Sequence, residues 1–361
     1  MQAERKNNNL DFIRFFAAAI VIVGHSFALL GQTPVYLFGF PLHSLGVVIF
    51  FVVSGYLITD SWQRNPDPIA YFRNRALRIF PALIVTVAFS ACVLGPLVSF
   101  LPAGDYFRHP YFAQYFSNIW LYTSYALPGV FAENVVPHAV NGSLWSLAPE
   151  FLCYVIVVAF GFAPRRLQPY LFASVFLFCA TIGLYHFYDI DAKVTVYATD
   201  AILAGLTMTY FMAGALIRLW NISLNITVAF VLFAVLLVVS SFLSVQWAVS
   251  VGFIVLPYAV LTCGFKATPI IKEWGKYGDY SYGIYLYAFP IQQILSYLTG
   301  GKISVSAMIG LSFVLSVACG YASWRIVEEP FLRLKKRGSS NLDGSLSPGL
   351  VTPHLSKLKR T

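Results

Sequence analysis

Long apolar stretches alternate with short polar breaks along this chain. Ten stretches stand out, near residues 12–30, 43–60, 77–98, 144–162, 169–187, 200–219, 226–243, 246–265, 280–297 and 303–324. Each is about twenty residues long, the length a helix needs to cross the hydrocarbon core of a bilayer. The pattern predicts an all-α, polytopic membrane protein with about ten transmembrane helices. Pro81, Pro257 and Pro290 fall inside or near these stretches, where membrane helices tolerate proline if neighbouring groups satisfy the freed carbonyls. The longest break, Ser99 to Gly142, exceeds what a simple connection needs, and such loops commonly cover or build a site. Residues 10–333 form one membrane domain. The Ser-, Gly-, Pro- and Lys-rich segment 338–361 reads as a disordered cytoplasmic tail.

Composition sharpens this picture. Hydrophobic residues make up 58% of 361 positions and charged ones 11%, too few to cover a soluble surface of this size. No small-residue cleavage site follows the first apolar run, which reads as a permanent helix. The five cysteines lie in apolar segments and read as small buried hydrophobes. No Cys/His/Asp/Glu cluster has ligand spacing, so no metal is expected.

Basic residues give orientation. With the N-terminus in the cytoplasm, inner segments collect Arg5, Lys6, Arg64, Arg73, Arg75, Arg78, Arg165, Arg166, Arg218, Lys266, Lys272, Lys276 and Arg325. Outer segments hold Arg108, Lys193 and Lys302, with acidic Asp105, Glu133, Asp189 and Asp191. The bias places both termini in the cytoplasm of a bacterial inner membrane. The net charge of +9 is then a topology signal plus attraction to anionic membrane lipid, not a nucleic-acid footprint.

Some polar residues are costly where they stand. Asp11, Arg14 and His25 share one side of the first helix: Arg14 to His25 is about 1100°, about 20° from whole turns, and spans about 16 Å. Ionisable groups inside a membrane face a protein interior or a wet cavity. Asp11 and Arg14 read either as a boundary pair or as part of such a cavity. His25, far up the helix, is either a buried hydrogen-bonding group or a proton acceptor near neutral pH. Arg73, Arg75 and Arg78 form an inner cluster that anchors topology or, through the guanidinium fork, holds phosphate, with Arg73 and Arg78 the preferred pair and Arg75 ranked below them. Arg75 and Arg78 share a face if the third helix starts early. Glu150 falls inside an apolar run after Gly142-Ser143-Leu144-Trp145-Ser146-Leu147-Ala148-Pro149 and either pairs across the bundle or joins the chemistry.

These segments in this order resemble the integral membrane acyltransferase family called acyltransferase type 3, which includes bacterial O-antigen and exopolysaccharide O-acetyltransferases. The matching residues are Leu10-Asp11-Phe12-Ile13-Arg14, Gly24-His25-Ser26, Phe50 to Ile58, the arginine segment 73–81, Ser143 to Leu147 with Glu150, Tyr280 to Leu286, and Trp324 to Pro330. The resemblance implies transfer of an acyl group, most commonly acetyl, from cytoplasmic acetyl-CoA or another acyl-CoA. The implied acceptor is a hydroxyl of an extracytoplasmic or lipid-linked saccharide. It further implies essential roles for Arg14 and His25, with Glu150 ranked below them, and a donor-side role for Arg73, Arg75 and Arg78. Two positions depart from the family pattern: Ala148-Pro149 precedes Glu150, and Ala288 stands where many members carry a histidine. Physically, donor phosphates would stay on the basic inner side while the thioester arm enters the bundle and an acceptor hydroxyl meets it near His25. Ser26 and Ser54 are available for a covalent route, although such serines more often serve helix packing. Polysaccharide-assembly proteins are further expected partners. The competing function is a transporter or flippase for a glycan or lipid-linked intermediate, against which the absence of a visible internal repeat argues.

Overall fold

The computed structural model describes residues 8–185, 187 and 194–334. The tail 338–361, the basic residues Arg5, Lys6 and Lys193, and the acidic pair Asp189 and Asp191 lie outside the described residues. The protein is mostly helical. Its long helices are α1 (Leu10–Ala28), α2 (Leu42–Arg64), α3 (Pro68–Phe89), α4 (Leu147–Gly161), α5 (Gln168–Tyr185), α6 (Ala201–Leu219), α7 (Ile226–Phe242), α8 (Val245–Phe265), α9 (Ser281–Leu298) and α10 (Val305–Ser323). Two hairpins of two-residue strands, Tyr36–Leu37 with Phe40–Pro41 and Thr195–Val196 with Thr199–Asp200, precede α2 and α6.

Among the described residues, eight helical segments are long and apolar enough to cross a membrane. Helices α7 and α9 stand where the seventh and ninth stretches were expected but fall short of that measure. α7 has 17 residues, and α9 carries Gln292 and Gln293, both fully buried, among its apolar positions. Large apolar side chains face outward along several helices, including Leu97 at 77% exposure and Val314 at 65%, as a lipid-facing surface requires.

The third helix begins at Pro68, well before the predicted 77. The Asp67 carboxylate accepts from the backbone N–H groups of Ile69 (2.9 Å) and Ala70 (3.2 Å), and proline suits the first helical position, whose N–H has no partner in any case. This early start puts all three arginines on α3. A π-helical turn at Ser90–Leu94 carries the helix on to Val98, and the Tyr106 hydroxyl donates to the Ala91 carbonyl there at 2.7 Å.

Helix α6 is the most enclosed, packed between α2 and α5. Gly55 and Gly214 allow that closeness, because a Cβ at either would overlap the carbonyl of Phe211 or Val52 on the facing helix. At one end of this pair the Asp60 carboxylate, almost fully buried, binds Arg64 on its own helix and Arg218 of α6 (2.8 Å). At the other end the segment 99–143 folds back over the bundle. Gln293 of α9 holds it, donating to the carbonyls of Val136 (2.9 Å) and Ala139 (2.7 Å) and accepting from the Asn134 amide (2.8 Å).

Candidate active site

Two cavities lie in line between α1, α2, α4 and α9. One, about 610 Å³ and inner by the expected topology, is lined by Arg14, Ser54, Asn74, Arg75, Arg78, Glu150, Tyr154 and Asp279, among others. The outer one, about 250 Å³, is lined by His25, His43, Trp145, Phe289 and residues 136, 142 and 143 of the covering segment. Val47 and Tyr285 line both. Helix periodicity explains the alignment. His43, Val47, Phe50 and Ser54 lie three or four residues apart on α2, and Tyr282, Tyr285 and Phe289 do the same on α9. Each stripe runs from one cavity to the other.

The inner cavity is an ionic site. Arg14 pairs with Asp279, two residues before α9. Arg78 reaches the same carboxylate at 2.8 Å and Glu328 at 2.9 Å, and its guanidinium lies 5.6 Å from the Tyr282 ring centre and 5.7 Å from that of Trp324. Burial alone would raise the Asp279 carboxyl, but Arg14 and Arg78 hold it below the ordinary carboxylate value. A second π-helical turn, Trp324–Glu328, follows α10 and brings Trp324 to the cavity wall and Glu328 to Arg78. Two arginines and two carboxylates therefore neutralise one another here.

Arg75 is placed differently. It lines the same cavity, its Nε is buried without a hydrogen-bond partner, and no carboxylate among the described residues pairs with it. Arg73 is exposed and does not line the cavity. The arginines that converge are thus Arg75 and Arg78, three residues apart, while Arg73 projects from another face of α3. Glu150 faces the inner cavity and accepts from the Ser54 hydroxyl (2.8 Å) and the Tyr154 hydroxyl (2.7 Å). Pro149 sits in the first turn of α4, where it removes no intrahelical hydrogen bond.

His25 is in the outer cavity, apart from Arg14 and Glu150. Its ring stacks on His43 with centres 4.9 Å apart and planes at 25°, and meets the edge of Phe289 at 5.1 Å. The Nδ1 atoms of both histidines are buried without partners. Gly24 makes this meeting possible, because a Cβ there would overlap the His43 backbone. Ser26, by contrast, turns away: it donates to the Ile22 carbonyl (2.8 Å) and accepts from Gln292 (2.8 Å), a packing role. Ala288 is fully buried against Ala18 and Ile22 and does not line the outer cavity.

His43 and Asp279 escaped the reading of the sequence. Each stands at the edge of an apolar stretch, where a polar residue looks like an interfacial boundary. Their partners on α1 are distant in sequence, 265 residues in the case of Arg14 and Asp279.

Comparison with known proteins identifies the family. Residues 7–325 match a family described as an acyltransferase domain. The chain belongs to that acyltransferase family. An O-acetyl transferase of Shigella phage Sf6 is 30% identical over 333 residues, covering 91% of this chain and 96% of its own length. Nodulation protein 10 of Rhizobium leguminosarum bv. viciae is 27% identical over 357 residues, 91% of this chain and 94% of its own. O-acetyltransferase OatA of Staphylococcus aureus is 27% identical over 382 residues, 94% of this chain but 58% of its own length. No solved structure matches the chain significantly. Two of these three relatives are named for O-acetyl transfer, and part of the lining of the two cavities, including Arg14, His25, Ser54, Arg78 and Glu150, comes from the segments that carry the resemblance.

Proposed function

We propose that this acyltransferase moves an acetyl group from cytoplasmic acetyl-CoA to a hydroxyl of an extracytoplasmic or lipid-linked saccharide. One observation carries the reading: an inner cavity holding the unpaired Arg75 shares two wall residues, Val47 and Tyr285, with an outer cavity that holds His25. In this reading all ten long helices span the inner membrane and both termini are cytoplasmic. Arg14, Arg78 and Arg218 then share the inner side, and His25, His43 and Gln293 the outer.

The donor enters from the inner side. Arg75, cationic and uncompensated, takes coenzyme phosphate through its fork, and exposed Arg73 meets the nucleotide at the surface. Arg14 and Arg78, tied to Asp279 and Glu328, are positioning residues that hold the mouth of the cavity in shape. Glu150, fixed by Ser54 and Tyr154, accepts from an amide N–H of the pantetheine arm. The acceptor hydroxyl comes from the outer side, beneath the segment held by Gln293. His25 takes the hydroxyl proton as the oxygen attacks the thioester carbon. The new C–O bond forms, the C–S bond breaks, and His25 returns the proton to the coenzyme thiolate. The route is direct transfer, since Ser26 is committed to packing and Ser54 faces the inner cavity.

Two measurements test the proposal. Purified protein should pass label from radiolabelled acetyl-CoA to saccharide in membranes of a deletion strain. Glycan from that strain should lack an acetyl ester that complementation restores. Vectorial movement of glycan without label transfer would favour the flippase instead.

A further inference from the structure

The two cavities share two wall residues, Val47 and Tyr285. Val47 is 6% exposed, and a β-branched residue in a helix is held close to one rotamer. Tyr285 of α9, also 6% exposed, is the second shared wall residue. Its hydroxyl donates to the Ser143 carbonyl at 2.8 Å and lies 2.7 Å from the Ser146 hydroxyl, while its ring meets Phe50 edge to face at 5.8 Å. Swinging that ring aside would break two buried hydrogen bonds, which a low-dielectric interior penalises. Neither wall is free to yield.

We propose that Val47 and Tyr285 form a selectivity neck that fixes acyl length, admitting acetyl and refusing chains of four carbons or more. The assignment rests on the transferase reading above and deepens it. A thioester rising from the inner cavity must present its carbonyl carbon to an oxygen activated by His25, which lies beyond the neck. The acyl chain then occupies the neck itself or the outer cavity. That cavity, about 250 Å³, must also hold the part of the saccharide that carries the hydroxyl. Each added methylene presses on a rigid wall or on the acceptor. One methylene too many in an apolar pocket typically costs about 10–200-fold in kcat/KM.

The test uses the full-length protein in detergent, with membranes of the deletion strain as acceptor and acetyl-, propionyl- and butyryl-CoA as donors. Wild-type protein should use butyryl-CoA at least about 100-fold less efficiently than acetyl-CoA. Val47→Ala should raise the butyryl-to-acetyl ratio of kcat/KM by about tenfold or more, and Val47→Ile should lower the propionyl-to-acetyl ratio. Equilibrium binding of the three thioesters should change little, because the coenzyme body is held in the inner cavity. Ratios within one variant cancel any shared loss of folded protein. A wild-type enzyme that uses butyryl and acetyl groups equally would overturn the neck, as would ratios unchanged in both variants. Wild-type protein that binds all three thioesters and transfers none would overturn the transferase reading, and the neck with it.

Discussion

Arg75 is the side chain whose surroundings depart most from those of its neighbours. Arg14 and Arg78 have carboxylate partners, whereas Arg75 faces the inner cavity with a buried Nε that nothing satisfies. A half-buried guanidinium with an unsatisfied Nε is set up to receive an anion. Hydrogen bonds to charged groups contribute about 1.5–3 kcal/mol, so Arg75→Ala should weaken acetyl-CoA binding by about tenfold or more, measured by equilibrium binding to purified protein. Arg75→Lys keeps charge but loses the fork and should fall between the two. Arg73→Ala, altering an exposed side chain, should have a smaller effect. Equal affinities in all three variants would return the cluster to a topology anchor. The shared face of Arg14 and His25 was readable from helical spacing alone. What spacing does not carry is the partner: Asp279 sits in a glycine-flanked break, and only the folded bundle shows that it neutralises two arginines rather than one.

At the scale of elements, the positions of the helices were legible because bilayer thickness and apolar length coincide. Their ends were less so. Residues 68–76 are polar enough to read as an inner loop, yet Asp67 and Pro68 together start α3 there. The number of spans is also softer than the number of helices, since α9 buries two glutamines that lower its apolar character. Gln293 has a clear purpose in the fold, tying residues 134–139 over the outer cavity. Gln293→Leu should leave two part-buried carbonyls, of Val136 and Ala139, without their donor and one N–H of the Asn134 amide without its acceptor, while that amide keeps its bond to the residue-293 backbone carbonyl. An unsatisfied buried group costs about 1–3 kcal/mol. The covering segment should loosen as a result. Limited proteolysis should then cut near Glu133, and the acceptor KM should rise while acetyl-CoA affinity holds. A segment as resistant as in wild-type protein would show that other contacts carry it.

At the scale of the whole molecule, two cavities share Val47 and Tyr285 and, in the proposed orientation, open toward opposite faces of the membrane. If its orientation is as proposed, Asn65 lies inside and the covering segment outside. Asn134 is buried and bonded to Gln293, so exposed Glu133 is the better reporter. In a cysteine-free background, an impermeant thiol reagent applied to spheroplasts should label Glu133→Cys and spare Asn65→Cys. Labelling at 65 alone would invert the topology. The central claim is that the donor is held on one side of the neck and the proton acceptor works on the other. Binding and chemistry should therefore separate in a single variant. The most direct measurement is single-turnover acetyl transfer by purified His25→Ala after its acetyl-CoA affinity and thermal stability have been matched to wild-type protein. Loss of a general base should slow transfer by about 10²–10⁴-fold with donor affinity unchanged. Transfer at the wild-type rate in that folded, donor-binding variant would contradict the account.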